Sequence, residues 1–234
     1  MHSATRKRRV ADLPVLGTLR NVAVLSREEF DAIEFDAAAS GDHQAAARRM
    51  SKLAVTGTQT DSMPRSEAFL RAGEQWLLAD DPAAAASGFR LAMADGGPVF
   101  TDPRVPLARA LFMLGKSDEA QSLLVDLKAE GRRDPRTCDL AAELLVEIGD
   151  LEGALEWATA GVELCLQRLH IGVPPQGGPP DAEADPPGDH DQPPVAAGSG
   201  DAEAELRLLL SLRYRIRNDL GLPEDRYDRL LDDG

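Results

Sequence analysis

The chain has 234 residues and a net charge of −14, and 43% of its residues are hydrophobic although only 4% are aromatic. This length accommodates one or two domains with a real core, and the shortage of aromatic side chains favours helices packed through alanine and leucine over a sandwich or a barrel. The acidic balance argues against a protein that tracks nucleic-acid phosphates, because such affinity comes from Lys and Arg side chains that displace counterions.

The start of the chain carries a basic cluster formed by Arg6, Lys7, Arg8 and Arg9, followed by weakly apolar sequence without a clear register. Residues 1–25 are therefore predicted to form an irregular basic arm. A cluster of this kind is compatible with contact to nucleic acid or anionic lipid, and the simpler interpretation is a solvated arm.

Helix-start signals recur through the middle of the chain. Ser26 and Glu29 form a capping box, in which the hydroxyl accepts from a free backbone amide and the carboxylate reaches back. Asp-Pro dipeptides at 81–82, 102–103 and 134–135 each place an N-cap acceptor before a proline that a first helical turn tolerates. These signals and the apolar spacing predict eight helices, at 27–39, 43–55, 65–79, 82–95, 103–114, 117–130, 135–148 and 151–170.

A short phrase repeats through these helices. Residues 115–120 (Gly-Lys-Ser-Asp-Glu-Ala) and 149–154 (Gly-Asp-Leu-Glu-Gly-Ala) lie 34 residues apart, and related phrases begin at Asp80 and at Gly41. A turn residue followed five positions later by a small residue, at this period, is typical of stacked helix–turn–helix units. The sequence therefore predicts an all-α solenoid of helical hairpins over residues 26–170.

The composition changes sharply over residues 171–201, which hold eight of the sixteen prolines, six glycines and six acidic residues, with no Lys or Arg. Such a stretch buries too little apolar surface to offset its ordering entropy, so a disordered linker is predicted. Residues 202–234 are predicted to form a C-terminal capping helix and tail. The helix ends at Leu220, because Gly221 suits the C′ position and Pro223 prevents continuation.

The repeating units resemble the tetratricopeptide repeat family, whose pattern begins Trp-x2-Leu-Gly-x2-Tyr and continues with small and aromatic positions in a second helix. The best-matching unit has Phe69, Ala72, Gly73, Trp76, Ala85, Phe89 and Ala92. The next two units keep Leu107, Ala108, Leu111, Gly115, Ala120 and Leu124, then Ala141, Ala142, Leu145, Gly149, Ala154 and Ala158, and a weaker unit precedes all three. Two residues depart from the pattern: Asp80 where glycine is usual and Glu34 where a small residue is usual.

In that family the first helix of each unit lines a concave groove that binds a partner. By this resemblance the groove positions of the present chain alternate between acidic and apolar side chains, with two arginines as the available cations. These positions are Glu28, Asp31, Phe35, Glu67, Leu70, Glu74, Leu77, Asp102, Val105, Arg109, Phe112, Arg136, Asp139, Glu143 and Val146.

A groove of this composition suits a protein or peptide with a basic or amphipathic segment. Family members that grip a C-terminal carboxylate use Lys, Arg and Asn at such positions, and the many carboxylates here would repel that group. The sequence thus predicts a non-catalytic adaptor. An equally open interpretation is that the carboxylates only keep an exposed helix face soluble.

Two other hypotheses compete with the adaptor. In a self-associating or self-masking scaffold, the arginines Arg213, Arg215 and Arg217, or the basic arm, occupy the groove of the same chain or of a second copy, so a homo-oligomer is possible. In the other, the chain is a subunit associated with an enzyme or with nucleic acid.

A second resemblance concerns the C-terminal residues 213–228. Their Arg-rich, Leu-Gly and acidic-aromatic sequence is similar to the ending of bacterial tetratricopeptide proteins that often also carry a Cys-rich SEC-C metal motif. The motif itself is absent here, since the chain has only Cys138 and Cys165, so no metal role is carried over. Both cysteines fall within helical patterns and are predicted to be small core residues.

Motifs for catalysis are also missing from the sequence. It has no Gly-rich phosphate loop, no His-x3-His or Cys-x2-Cys pair and no Gly-x-Ser-x-Gly elbow. We therefore expect no enzyme activity and no cofactor or metal. The sequence shows no apolar run of the roughly 20 residues that cross a bilayer and no secretory leader, which predicts a cytoplasmic protein without a membrane partner. Its 22 Arg against 4 Lys are typical of a GC-rich bacterial genome.

Overall fold

The computed structural model describes residues 24–131, 134–172 and 199–231. Within these ranges the protein is all-helical, which confirms the predicted fold class. The helices are α1 Arg27–Ser40, α2 His43–Thr56, α3 Arg65–Leu78, α4 Pro82–Asp95, α5 Arg104–Met113, α6 Ser117–Ala129, α7 Pro135–Glu147, α8 Leu151–Leu169 and α9 Ser199–Asp219, with a short 3-10 helix at Asp228–Leu231. Each of the eight predicted repeat helices lies within one residue of its predicted bounds.

The ends of the chain differ more from prediction. The capping helix α9 begins at Ser199, so the last three residues of the predicted linker are helical. The rest of that linker, 173–198, and the predicted basic arm up to residue 23 lie outside the described residues. The last residue of the predicted arm, Leu25, is buried, and its backbone N–H donates to Thr58 O at 2.7 Å.

The predicted helix caps are present with one exception. Ser26, Asp81 and Asp134 each accept a hydrogen bond from a backbone N–H in the first turn of the helix that follows. The prediction for Asp102 is wrong, because α5 begins one residue later and its N-cap is Pro103. The Asp102 carboxylate instead pairs with the Arg104 guanidinium at 2.8 Å and accepts from the Arg104 backbone N–H.

The helices pack as successive pairs. Within each pair α1 contacts α2, α3 contacts α4, α5 contacts α6 and α7 contacts α8, while α2 packs on α3 and α4 on α5 to join neighbouring pairs. The first helices of later pairs also touch, α5 with α7. One hydrophobic core runs through the stack from Leu25 to Ile216. This architecture is a helical-repeat solenoid.

Small residues allow the paired helices to lie close together. Gly73 on α3 faces the ring of Phe89 on α4, and a Cβ at Gly73 would lie 2.5 Å from a ring carbon. A Cβ at Gly88 of α4 would lie 3.3 Å from the Gly73 Cα, so the two backbones approach each other here. The small residues Ala85, Ala120 and Ala154, which recur at one position of three successive second helices, are also fully buried.

The backbone conformation at residue 80 explains why aspartate can stand where the tetratricopeptide repeat pattern usually has glycine. Asp80 adopts a left-handed backbone with φ of 56°, the conformation that Gly115 and Gly149 adopt at the same turn of the next two units. Aspartate tolerates this region better than most residues other than glycine, which accounts for the substitution without a change of fold.

The helix α9 packs on both α8 and α7, as the first helix of a further repeat would do. Its Leu209 lies against Gly161 of α8, where an added Cβ would come within 2.8 Å of the leucine and 2.9 Å of Cys138. Cys138 and Cys165 are both fully buried, which confirms that they are core residues. Burial raises the pKa of the Cys165 thiol to about 11.

The tail after α9 is fastened by a buried ion-pair cluster. Gly221 has φ of 66° and ends α9 as predicted. Arg213 of α9 binds Asp225 and Asp228, and its guanidinium lies 4.6 Å from the ring centroid of Tyr227. Arg217 binds the same two carboxylates. These two arginines therefore hold the tail, a different role from the groove contact that self-masking requires.

Asp80→Gly tests the strain at the left-handed turn. Glycine adopts this conformation without a Cβ penalty, so the variant should gain about 0.5 kcal/mol of unfolding free energy despite its more flexible unfolded chain. Urea unfolding followed by circular dichroism measures the change. The reciprocal variant Gly115→Ala should lose about 1 kcal/mol, although its Cβ would meet nothing within 4 Å. A gain for alanine at position 115 would contradict this interpretation.

Asp228→Ala tests the tail cluster. The carboxylate accepts from Arg213, Arg217 and the Asp225 backbone N–H, and its loss leaves buried donors unpaired, so we expect a loss of about 1.5–3 kcal/mol in urea unfolding. Glu224→Ala, an exposed residue of the same tail, is the control and should change stability by less than about 0.5 kcal/mol. Equal effects of the two variants would show that the cluster does not hold the tail.

Candidate functional site

Two adjoining cavities lie on the face formed by the first helices of the repeats. The larger, here called the apolar cleft, has a volume of about 510 Å³. The smaller, here called the acidic pocket, has a volume of about 220 Å³. The apolar cleft is lined mainly by Leu77, Leu78, Val105, Pro106, Met113 and Leu140. The acidic pocket is lined by Asp31, Glu34, Glu67, Arg71, Glu74 and Arg136, among others. Glu34 and Glu74 line both cavities.

Eight of the fifteen predicted groove residues line these two cavities: Asp31, Glu67, Leu70, Glu74, Leu77, Val105, Arg109 and Arg136. The other seven line neither: Glu28, Phe35, Asp102, Phe112, Asp139, Glu143 and Val146. Three of these eight residues are buried and form the walls of the cavities, so little of their side chains is accessible to a ligand. Leu70 and Val105 belong to the core, and Glu67 is 7% exposed because its carboxylate accepts from the Phe100 backbone N–H at 2.9 Å.

Arg71 is a central residue of the acidic pocket that the sequence analysis missed. Its side chain is 10% exposed, and its guanidinium binds Glu34 through two hydrogen bonds, of 2.8 and 2.5 Å, and Asp31 through a third, of 2.6 Å. These carboxylates raise the pKa of Arg71 far above its ordinary value despite burial, which acts in the opposite direction. The pair also explains Glu34, the other departure from the family pattern: it is the counterion of a buried arginine.

Glu74 lies on α3 where the two cavities meet, and its side chain is accessible from the groove. The surrounding protein raises the pKa of its carboxyl to about 7, first because protein atoms displace water and then because Glu67 and Glu34 lie nearby. Arg71 and Arg136 act in the opposite direction but do not offset these causes. Because the Glu74 side chain is accessible to solvent, its carboxyl keeps part of its hydration, and desolvation raises its pKa less than complete burial would.

The two predicted groove cations are both engaged by other residues. Arg109 of α5 pairs with Glu147 of α7 at 2.8 Å. Arg136 of α7 stacks on Phe100, with its guanidinium carbon 4.9 Å from the ring centroid. Further along α7, burial raises the pKa of Asp139, and the neighbouring carboxylate of Glu143 adds to the effect. The groove therefore holds carboxylates that its own arginines do not neutralise.

The described residues offer neither a metal site nor a membrane span. No group of three or more His, Cys, Asp or Glu side chains in this part of the chain is arranged to hold a metal ion. None of the described helices combines the length and apolar character that a membrane span requires. Comparison of the chain with protein families, curated proteins and solved structures gave no match.

Glu74→Gln tests the electrostatics of the groove. A carboxyl with a folded pKa of about 7, against 4.5 when unfolded, costs stability as the pH rises from 4.5 to 7, and the cost persists above pH 7. The glutamine variant should therefore melt at a higher temperature than the wild type at about pH 8 and at nearly the same temperature at about pH 4.5, where the folded carboxyl is neutral. Differential scanning calorimetry measures both.

Asp126→Asn is the matched control for this experiment, because Asp126 is an exposed carboxylate of α6 that lines neither cavity. Its melting temperature should differ from that of the wild type by the same small amount at both pH values. A Glu74→Gln effect that does not change with pH would contradict the raised pKa.

Proposed function

We propose that this protein is a non-catalytic adaptor of the tetratricopeptide-repeat type, which binds a protein or peptide with a basic or amphipathic segment in its concave groove. The observation that carries the proposal is the junction of an acidic pocket with an apolar cleft at Glu74. An amphipathic segment offers the matching pair of features, a cation for the carboxylates and an apolar side chain for the cleft.

The charge distribution supports a basic partner over an acidic one. Arg71 and Arg109, two of the cations that line the cavities, are paired within the protein, whereas Glu74 forms no hydrogen bond or ion pair with any of the described residues. Bringing an anion into this groove would add a charge beside crowded carboxylates, while a cation would relieve their mutual repulsion. The partner's own desolvation is limited, because both cavities open to solvent.

The proposal also concerns the cellular location of the protein. A bacterial, cytoplasmic adaptor fits the arginine-rich composition and the absence of a membrane-spanning helix among the described residues. It also assigns the Arg213 and Arg217 cluster a structural role, so the groove stays available to a second molecule.

A random library of displayed peptides tests the proposal. Peptides selected on the full-length protein should be enriched in Lys or Arg next to apolar residues, and their binding should weaken as the salt rises from about 0.05 M to about 0.5 M. The double variant Glu74→Lys with Glu143→Lys should bind the selected peptides at least about tenfold more weakly in fluorescence anisotropy.

The matched control is Asp126→Lys, which reverses an exposed charge on α6 outside the groove and should keep the wild-type affinity. Recovery of no peptides, or of acidic peptides that bind the double variant as well as the wild type, would contradict the proposed function.

A further inference from the structure

Glu74 differs from the other carboxylates of the acidic pocket in its contacts. Asp31 and Glu34 are both bound by Arg71, whose single positive charge offsets one of their two negative charges, and Glu67 is buried against the Phe100 backbone N–H. Glu74 has neither kind of partner among the described residues, although it is accessible from both cavities. It is therefore the carboxylate of the pocket that a ligand can reach and pair with at least cost.

The position of Glu74 also places a ligand that pairs with it next to the apolar cleft. In the sequence of α3 it is followed three and four residues later by Leu77 and Leu78, which line the apolar cleft. Val105, Pro106 and Met113 of α5 and Leu140 of α7 complete the apolar lining. A cation on Glu74 thus has an apolar cavity of about 510 Å³ next to it.

From this geometry we infer that the partner docks one lysine or arginine side chain on Glu74 and an adjacent apolar side chain in the apolar cleft. The inference rests on the proposed function and deepens it, because it assigns the basic residue of the partner to one carboxylate. Charge complementarity selects a basic occupant, because the free group at the junction is an acid. Arg71 and Arg109 are paired with carboxylates, Arg136 is stacked on an aromatic ring, and Arg27 donates to the Ser62 carbonyl oxygen.

Docking of a cation on Glu74 should change the protonation of its carboxyl. The charged groups that line the two cavities with Glu74 are Arg27, Asp31 and Glu34 from α1, Glu67 and Arg71 from α3, Arg109 from α5 and Arg136 from α7. His43 of α2 bonds to Gln75. In the free protein the Glu74 carboxyl has a pKa of about 7, so it is partly protonated at pH 7. A cation favours the ionised form, so binding should release protons at this pH and should strengthen as the pH rises through 7.

The experiment uses the tightest peptide from the library and the same peptide with its basic residue replaced by norleucine. This replacement should weaken binding to the wild type about tenfold, but binding to Glu74→Gln less than about twofold, because the coupling partner is already gone. Isothermal titration calorimetry in two buffers of different ionisation enthalpy should show net proton release on binding by the wild type at pH 7 and almost none by Glu74→Gln. Asp126→Asn should behave as the wild type in both measurements.

The outcomes separate the inference from the proposed function. If a basic peptide binds but its basic residue couples equally in the wild type and Glu74→Gln, with no proton release, the docking on Glu74 is wrong and the adaptor function stands. Coupling to Glu143 instead, seen with Glu143→Gln, would also overturn the assignment. If no peptide binds at any pH, both the inference and the proposed function fail.

Discussion

The structure depends on how closely the two helices of each repeat can approach. No helical hairpin of this size buries its apolar face alone, so its stability comes from packing against the neighbouring unit. Gly73 leaves room for the Phe89 ring between α3 and α4, Gly88 lets the backbone of α4 approach that of α3, and Gly161 leaves room for Leu209 at the end of the stack. Larger side chains at these points would separate the helices and open the core that every other element rests on.

Much of the fold could be predicted because its signals are local. Helix starts follow from caps such as Ser26 and Asp134, whose side chains accept from amides three residues away, and helix order follows from the period of the small and apolar positions. The error at Asp102 has the same local origin, because an Asp-Pro pattern does not reveal that Arg104 will compete for the carboxylate. The left-handed turn at Asp80 was visible only as a departure from the pattern.

The candidate site was less predictable, because its electrostatics come from residues far apart in the chain. The positions of Glu74 and Leu77 on the face formed by the first helices follow from the repeat, but the pairing of Arg71 with Glu34 joins residues 37 apart and needs the packed structure. That pairing decides which carboxylates an arginine already binds. Sequence alone counts the charges of the groove, and only the three-dimensional arrangement shows that Glu74 keeps a carboxyl without a counterion among the described residues.

The helix α9 sits where a fifth repeat would begin, and the Arg213 cluster ties the tail across it. On that side the tail packs on α8 and α9 through Tyr227, Leu230 and Leu231, and the four repeats contribute four first helices to the groove. With neighbouring axes about 10 Å apart, these helices span about 30 Å. An extended polypeptide covers that distance with about nine residues. The number of repeats thereby sets the length of the segment that these four helices can contact.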